Sequence, residues 1–568
     1  MDLVLVGLPG SGKSSVGRRL AARHGARFVD LDATIEATAG RTIPELFEAE
    51  GEAGFRARER AAVAALGQPD RAPELRRVIA TGGGTVVDPA NRWALYRGRR
   101  AVWLSGPPEI LAQRLRNSPH PRPLLHGRDP VGAIRELAAD RERFYAPALR
   151  LNGLSQVGAV IERVDAFIAG PPPAGTTFLA ADTRLGRIRI GDGFAAAALV
   201  EVLAELGAGR AIIVSEPGAW AAVGEALVRD IAATGLPVER ILLPSGEAAK
   251  RLAVIESAAA ELARLRVERT EPLIAVGGGA LGDAAGFLAA TWLRGVPLIH
   301  VPTTLVAQID SSIGGKTAVD LAEGKNLVGA FHQPAAILID VALVAGLPER
   351  QRRSALGEAA KMATLDDEPL FALLERDGAG IARADPAVVA HGAVAELVER
   401  CAWAKVEVVL ADEREAAGRP GSTDEPADAT GTTRARVEAG RLALNLGHSL
   451  GHGFEAAAGY GDALLHGEAV AYGLRAACRV GVALGVTPPE RAERIEDLLT
   501  ALDLAPAGGL AALRLRRADV LAALTADKKH AGGRLRWVLP TADFVTIRTD
   551  VPAELVERVT DQLLEARR

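Results

Sequence analysis

Residues Asn445 to Ala469 read NLGHSLGHGFEAAAGYGDALLHGEA and carry His448, His452, Glu455, His466 and Glu468, in a chain with only ten histidines. His448 and His452 are four apart, so on a helix they share a face one turn apart. His466 follows a glycine-containing turn from which it can fold back toward that face. Two imidazoles plus a carboxylate from elsewhere make a three-ligand Zn²⁺ site with one open position, and such borderline ligands suit zinc. The plainer reading is a group of solvated histidines beside a glycine-rich turn.

Phosphate chemistry is written near residue 10. GLPGSGKS (Gly7 to Ser14) follows the apolar LVLVG and precedes a helical run, the strand–loop–helix context that G-x-x-x-x-G-K-S requires. The loop Gly10, Ser11, Gly12, Lys13, Ser14 and Ser15 can wrap ATP phosphates with backbone N–H groups at a helix N-terminus. Lys13 reaches the β and γ oxygens, and Ser14 can hold Mg²⁺. Asp30 and Asp32 end the next strand, at the sheet edge where ligands of open α/β sheets sit.

Of 67 basic residues only eight are lysines: Lys13, Lys250, Lys316, Lys325, Lys361, Lys405, Lys528 and Lys529. Arginine serves wherever a generic positive charge suffices, so these lysines mark jobs needing a compact ammonium of adjustable pKa. Glu358 and Lys361 stand at i, i+3 on one helical face, a spacing that also suits an ordinary surface ion pair. Gly314 and Gly315 ahead of Lys316 make a backbone nest suited to an anion. GGGALGD (Gly277 to Asp283) closes a strand and opens a helix, as a dinucleotide pyrophosphate site or a tight turn does.

The elements that must position these groups follow from the pattern. At 568 residues, 48% hydrophobic and 24% charged, the chain is globular, with about three domains. An α/β pattern runs over 1–168, and AGPPPAGTT (169–177) reads as a semi-rigid linker. Strands at 211–216, 240–244, 272–279 and 297–304 alternate with helices over 178–345, which predicts a second parallel sheet. Helices dominate 346–568, interrupted by a polar, breaker-rich loop at 418–434. The expected class is therefore α/β: a P-loop module with a parallel sheet, then a second doubly wound α/β region and a largely helical one. A net charge of −4 and a pI near 6.3 give no footprint for nucleic acid or an acidic membrane. No run of about 18 apolar residues survives, so no membrane span is expected. The start lacks a basic segment followed by an apolar one, and Cys401 and Cys478 are too few for a disulfide framework, so a cytoplasmic location is expected.

GFRARE (54–59), GGG (82–84), PRPLL (121–125) and DRERFY (140–145), with the P-loop, make residues 1–168 resemble shikimate kinase. That resemblance implies an NMP-kinase-like fold using ATP and Mg²⁺. It implies that Asp32, Arg56, Gly83 and Arg141 hold shikimate, with the arginines on its carboxylate and Asp32 orienting or deprotonating the acceptor hydroxyl. Asp30 would sit near Mg²⁺, and Arg122, on a lid, would reach the transferring phosphate of ATP. Around Ser155 the sequence departs from the family, which often carries a long side chain toward adenine. A gluconate-type kinase is disfavoured by GFRARE and GGG.

From Phe178 to about Thr560 the chain resembles 3-dehydroquinate synthase, through PSGEAAK, GGGALGD, PTTL, DSSIGGKT, GKN, GEAAK, NLGHSLGH and LHGEAVA. The resemblance implies a homodimer with NAD⁺ and Zn²⁺ or Co²⁺ between a Rossmann-like α/β domain, 178–345, and a helical metal-binding domain, 346–568, behind the P-loop kinase with its parallel sheet. Glu358, His448 and His466 become the metal ligands, and His452 a proton-handling neighbour. NAD⁺ falls to Ser245, Gly246, Glu247, Lys250, Gly278, Gly279, Asp283, Thr303, Thr304, Lys316 and Lys325. A seven-carbon sugar acid phosphate falls to Arg294, Asp310, Lys316, Asn326, Lys361, Lys405, Arg441 and Lys528, with Lys529 the alternative to the last. Lys316, Lys361, Arg441 and His452 are the implied catalytic groups, beside Lys13 and Asp32 of the kinase. The implied chemistry is transient oxidation by NAD⁺, loss of phosphate, return of the hydride and ring closure by an aldol step. One rival is a related cyclase acting on sedoheptulose 7-phosphate. Another is a scaffold with one dead active site, against which the intact Lys13, Asp32, Glu358, His448 and His466 speak.

Overall fold

The computed structural model describes residues 1–70, 72–116, 129–365, 368–413, 439–530 and 535–565, with the side chains of 526–530 excepted. Two compact units result. Unit one is Met1–Thr183, Arg187–Val202 and Leu338–Ala342, and unit two is Arg184–Gly186, Leu203–Ile337 and Leu343–Arg568.

Unit one is built on five parallel strands: β1 (Asp2–Val6), β2 (Arg27–Asp30), β3 (Arg77–Ala80), β4 (Arg100–Ser105) and β5 (Leu149–Asn152), in the order β2–β3–β1–β4–β5. Leu3, Val4, Leu5 and Val6 are all buried, as expected for a central parallel strand covered on both faces. The chain leaves β1 toward β2 on one side and reaches β4 on the other, so a crevice opens at the C-terminal end of β1. Helix α1 (Lys13–His24) starts there and buries Val16, Leu20 and Ala21 against the sheet. Helices α2 (Leu31–Ala39), α3 (Ile43–Ala64, kinked at Gly51), α4 (Pro89–Tyr96), α5 (Pro108–Arg116), α6 (Pro130–Tyr145) and α7 (Val157–Ala169) complete the layers. By packing, β6 (Thr176–Thr183) and β7 (Gly186–Asp192) belong here too, with Phe178 5.1 Å from the Trp93 ring and Asp192 3.1 Å from Arg97.

Unit two begins with parallel strands β8 (Ala211–Ser215), β9 (Val238–Leu242), β10 (Leu273–Gly277) and β11 (Leu298–Pro302), in the order β11–β10–β8–β9, with Ala336 and Ile337, the first residues of β14 (Ala336–Asp340), paired to β11. Helix α8 (Gly279–Thr291) leaves the end of β10 and covers the sheet. The hairpin β12 (Lys316–Leu321) and β13 (Gly324–Phe331) pairs antiparallel, with Lys316 opposite Phe331. Helices follow: α9 (Glu349–Thr364), α10 (Glu368–Arg383), α11 (Ala393–Ala411), α12 (His448–Ala457) and α13 (His466–Ala483).

Glycines let three of these helices approach at backbone distance. A Cβ on Gly467 would fall onto the Ser354 carbonyl, one on Gly357 onto the Gly467 carbonyl, and one on Gly473 onto the Gly447 carbonyl. Helix α13 is thereby held against both α9 and α12, closer than any side chain allows. Among the described residues no helix is long and apolar enough to cross a membrane.

Candidate active sites

In unit one the loop after β1 uses three glycines at positive φ, Gly7 (138°), Gly10 (81°) and Gly12 (95°), a backbone that side-chain-bearing residues avoid. Lys13 lies folded over this loop, donating to the carbonyls of Gly7 (2.7 Å) and Leu8 (3.1 Å). Ser11 Oγ is buried there with no hydrogen-bond partner, an orphan that a phosphate oxygen would satisfy. Ser14 Oγ donates to Asp30 Oδ2 at 2.7 Å, placing hydroxyl and carboxylate where Mg²⁺ chemistry needs them; Ser15 is exposed. This loop fits a nucleotide triphosphate with its metal.

The residues expected to hold the acceptor meet at the GGG segment. Arg141 Nη1 (2.9 Å) and the Tyr145 hydroxyl (2.5 Å) both donate to the Gly83 carbonyl. A Cβ on Gly82 would lie 2.7 Å from Asp32 Oδ1, one on Gly83 2.7 Å from the Pro9 ring, and one on Gly84 2.8 Å from Arg56 Nη1. Asp32, Arg56, Arg141 and the P-loop therefore surround these three residues. Asp32 lies in the first turn of α2 rather than on the strand, because Asp30 accepts from Ala33 N and caps that helix. Glu59, which the sequence reading passed over inside GFRARE, is 1% exposed. It accepts from Arg56 (2.9 Å) and Thr85 (2.7 Å), and so aims the guanidinium. Burial works against the Arg56 charge, and Glu59 and Glu52 more than restore it.

In unit two, α9, α12 and α13 bring Glu358, His448 and His466 together. His466 Nε2 stands 3.1 Å and His448 Nε2 3.4 Å from Glu358 Oε1. Ligands about 2.0–2.1 Å from a tetrahedral zinc lie roughly 3.3 Å from one another, so this donor set fits a metal ion. Glu358 is fully buried, and Lys361, for which a surface pair with it was the alternative reading, is 1% exposed with Nζ 2.5 Å from Glu358 Oε2. Burial alone would raise the Glu358 pKa, but Lys361 and His448 hold it well below the usual carboxylate range. Asp310 extends the cluster, 3.7 Å from Lys361 and 2.8 Å from Lys405. His452 takes the next turn of α12, its ring 5.1 Å from His448 and 6.1 Å from His466. A second group of possible ligands, His452, Glu455 and His466, overlaps the first through His466.

The dinucleotide candidates meet at the ends of β8, β10 and β11. Glu216, unassigned from sequence although it directly follows β8, accepts from Gly246 N (3.1 Å) and Gly278 N (3.2 Å) and clips the two glycine turns together. A Cβ on Gly279 would lie 2.7 Å from Ser311 Oγ, a buried hydroxyl without a partner, and one on Gly278 3.2 Å from Thr304. Thr303 is buried beside them. That cradle, open only to backbone-sized groups, fits a pyrophosphate at the N-terminus of α8. Lys250 is buried and bonds Asp283 (2.7 Å) and Asn326, whose own amide donates to Asp320 (2.8 Å). Lys325 joins Glu247 (2.9 Å) to Glu455 (3.1 Å).

Three further candidates lie at the surface or against other groups. At Gly314 and Gly315 the Arg441 guanidinium lies alongside the turn, donating to the Gly314 carbonyl (3.1 Å) and the Glu413 carbonyl (2.9 Å). Lys316 is exposed at the start of β12. Arg294 is exposed at the end of the turn Trp292–Arg294 and has no hydrogen bond or ion pair with the Asp310 cluster among the described residues. Arg122 with PRPLL, the 418–434 loop, and the side chains of Lys528 and Lys529 lie outside the described residues.

A shikimate kinase family model matches residues 9–153, and models of the 3-dehydroquinate synthase N-terminal and C-terminal regions match 240–354 and 434–530. A 3-dehydroquinate synthase of Gloeobacter violaceus is 39% identical over 373 residues, 64% of this chain and 93% of that protein. Among solved structures, a 2-epi-5-epi-valiolone synthase of Streptomyces hygroscopicus subsp. jinggangensis with NAD⁺ and Zn²⁺ bound is 26% identical. Its TM-score is 0.57, over 68% of this chain and 98% of that one. A shikimate kinase of Acinetobacter baumannii in complex with shikimate is 34% identical over 29% of this chain and 92% of that one, with a TM-score of 0.27. With 93% of a relative's length matched at 39% identity, the chain belongs to the 3-dehydroquinate synthase family, and a shikimate kinase region precedes the synthase region.

Proposed function

We propose that the chain is a fusion of two enzymes, with residues 1–168 phosphorylating shikimate to shikimate 3-phosphate at the expense of ATP. Residues 178–568, beyond the linker at 169–177, convert 3-deoxy-D-arabino-heptulosonate 7-phosphate to 3-dehydroquinate and phosphate. The observation that carries the synthase reading is the convergence of Glu358, His448 and His466 from three helices, beside buried Lys361 and Lys405. The two reactions are not consecutive in chorismate biosynthesis, so the fusion implies no channel.

In the kinase, Lys13 and the loop amides hold the ATP phosphates, and Ser14 with Asp30 holds Mg²⁺. Arg56 and Arg141 clamp the shikimate carboxylate, a planar acceptor that suits guanidinium. Asp32 orients the acceptor hydroxyl and takes its proton; the remaining work is positioning and charge neutralisation.

In the synthase, Glu358, His448 and His466 would hold Zn²⁺ or Co²⁺, and the turns at Ser245–Lys250 and Gly277–Asp283 with Thr303 and Thr304 would hold NAD⁺. When bound, the metal supplies Lewis acidity and NAD⁺ accepts and returns a hydride. Lys361, Lys405 and Arg441 offset the substrate's carboxylate and phosphate, and Asp310 fixes the two ammoniums between which it lies. His452, beside the metal cluster and not needed in it, handles the proton.

A homodimer through the synthase region is supported by the ribbon β12–β13, which exposes Leu327 and Phe331 on β13. Two free, buried cysteines are consistent with a reducing cytoplasm. The test is His448→Ala: metal binding and 3-dehydroquinate formation are lost, while ATP-dependent shikimate phosphorylation persists. Retained cyclisation, or loss of both activities, contradicts the assignment. Feeding sedoheptulose 7-phosphate in the same assay distinguishes the related cyclase.

A further inference from the structure

Glu455 has no part in the reaction described above, yet it sits at a junction. On α12, seven residues after His448, it is buried, and its two carboxylate oxygens point to different partners. Oε2 stands 3.1 Å from His466 Nδ1 and Oε1 3.1 Å from Lys325 Nζ. Lys325 in turn binds Glu247 Oε1 at 2.9 Å and lies 4.4 Å from the centre of the Tyr460 ring. Glu247 belongs to the turn Gly246–Ala249, which Glu216 clips to the glycine turn at Gly278. A continuous chain of polar contacts thus runs Glu247–Lys325–Glu455–His466–Glu358, from the dinucleotide turn to the metal ligands.

A neutral imidazole has one N–H and one lone pair. With Nδ1–H committed to Glu455, Nε2 must present its lone pair toward Glu358 and the metal position. We propose that Glu455 is a positioning residue: it fixes the tautomer and ring orientation of His466 for metal binding and, through Lys325, links that ligand to the dinucleotide turn. Lys325 and His466 share one carboxylate, so a dinucleotide that engages Lys325 or Glu247 changes how firmly His466 is held. Metal and dinucleotide affinities are then coupled, and by linkage the coupling is reciprocal.

The inference rests on the metal reading of Glu358, His448 and His466, and its test separates the two. Full-length wild type, Glu455→Gln and Glu455→Ala are titrated with Zn²⁺ against a chromophoric chelator, with and without NAD⁺. Co²⁺-loaded samples are compared by visible absorption, and shikimate phosphorylation reports the integrity of the rest of the chain. Glu455→Ala is expected to weaken Zn²⁺ binding roughly 10- to 100-fold and to alter the Co²⁺ spectrum. Glu455→Gln, which keeps an acceptor for Nδ1–H, falls between it and wild type. NAD⁺ shifts the wild-type Zn²⁺ affinity and leaves that of Glu455→Ala unmoved. A merely structural glutamate would lower stability without moving the spectrum. Wild-type affinity and spectrum in Glu455→Ala, or an unchanged NAD⁺ effect, overturn the proposal. A wild-type protein that binds no zinc, or binds it equally after His448→Ala, overturns the metal reading and this inference with it.

Discussion

Replacing Lys361 by methionine should destabilise the synthase region most when it is free of metal. The ammonium is 1% exposed, 2.5 Å from Glu358 Oε2 and 3.7 Å from Asp310 Oδ1. At an effective dielectric constant near 20 those contacts attract by roughly 7 and 4 kcal/mol. Desolvation of the buried ions offsets several kcal/mol of that, in line with the about 3–5 kcal/mol observed when one partner of a buried pair is removed. Methionine fills the volume, so the loss is electrostatic: fully buried Glu358 loses its nearest cation. A divalent ion held by Glu358, His448 and His466 would supply that cation. The variant should therefore lose about 3–5 kcal/mol without metal and distinctly less with Zn²⁺. The thermodynamic cycle then requires the variant to bind Zn²⁺ more tightly than wild type by the same difference. Scanning calorimetry and denaturant unfolding with and without Zn²⁺ measure both legs, with the kinase transition as an internal reference, since a chain of several domains is not two-state. Equal destabilisation with and without Zn²⁺, or none, refutes the reasoning.

Other outcomes follow from the same geometry. Gly467→Ala puts a methyl onto the Ser354 carbonyl, a backbone atom that cannot swing away. It should cost about 1–3 kcal/mol and weaken Zn²⁺ binding by parting α13 from α9; wild-type zinc affinity would contradict this. Arg56→Lys gives up the planar guanidinium that Glu59 aims, and should raise KM for shikimate roughly 10- to 100-fold while 3-dehydroquinate formation is untouched. His300, buried on β11, has its pKa pushed down to about 4 by burial and by His332. A folded pKa below the unfolded value near 6.5 means the unfolded chain binds more protons between the two. Stability is thus fully present above pH 6.5 and falls by about 3 kcal/mol toward pH 4. His300→Gln should flatten that slope in denaturant midpoints measured across the range.

What the sequence determined by itself was whatever lies within a few residues along the chain. GLPGSGKS announces its loop because glycine conformations and a strand–loop–helix order are local properties. The four-residue spacing of His448 and His452 placed both imidazoles on one face of α12, and the alternation after residue 178 announced a parallel sheet. Local spacing is silent about burial and distant partners. Glu358 lies 90 residues before His448, and the two meet because glycine-lined contacts draw α9, α12 and α13 together. Only that packing turned the Glu358–Lys361 spacing from a surface pair into a buried one. Packing also set the Arg441 guanidinium against the Gly314 carbonyl. Glu59 and Glu216 stayed hidden, and Glu455 was named without a partner, for the same reason: a carboxylate becomes informative through what its two oxygens touch, and only the tertiary structure decides that.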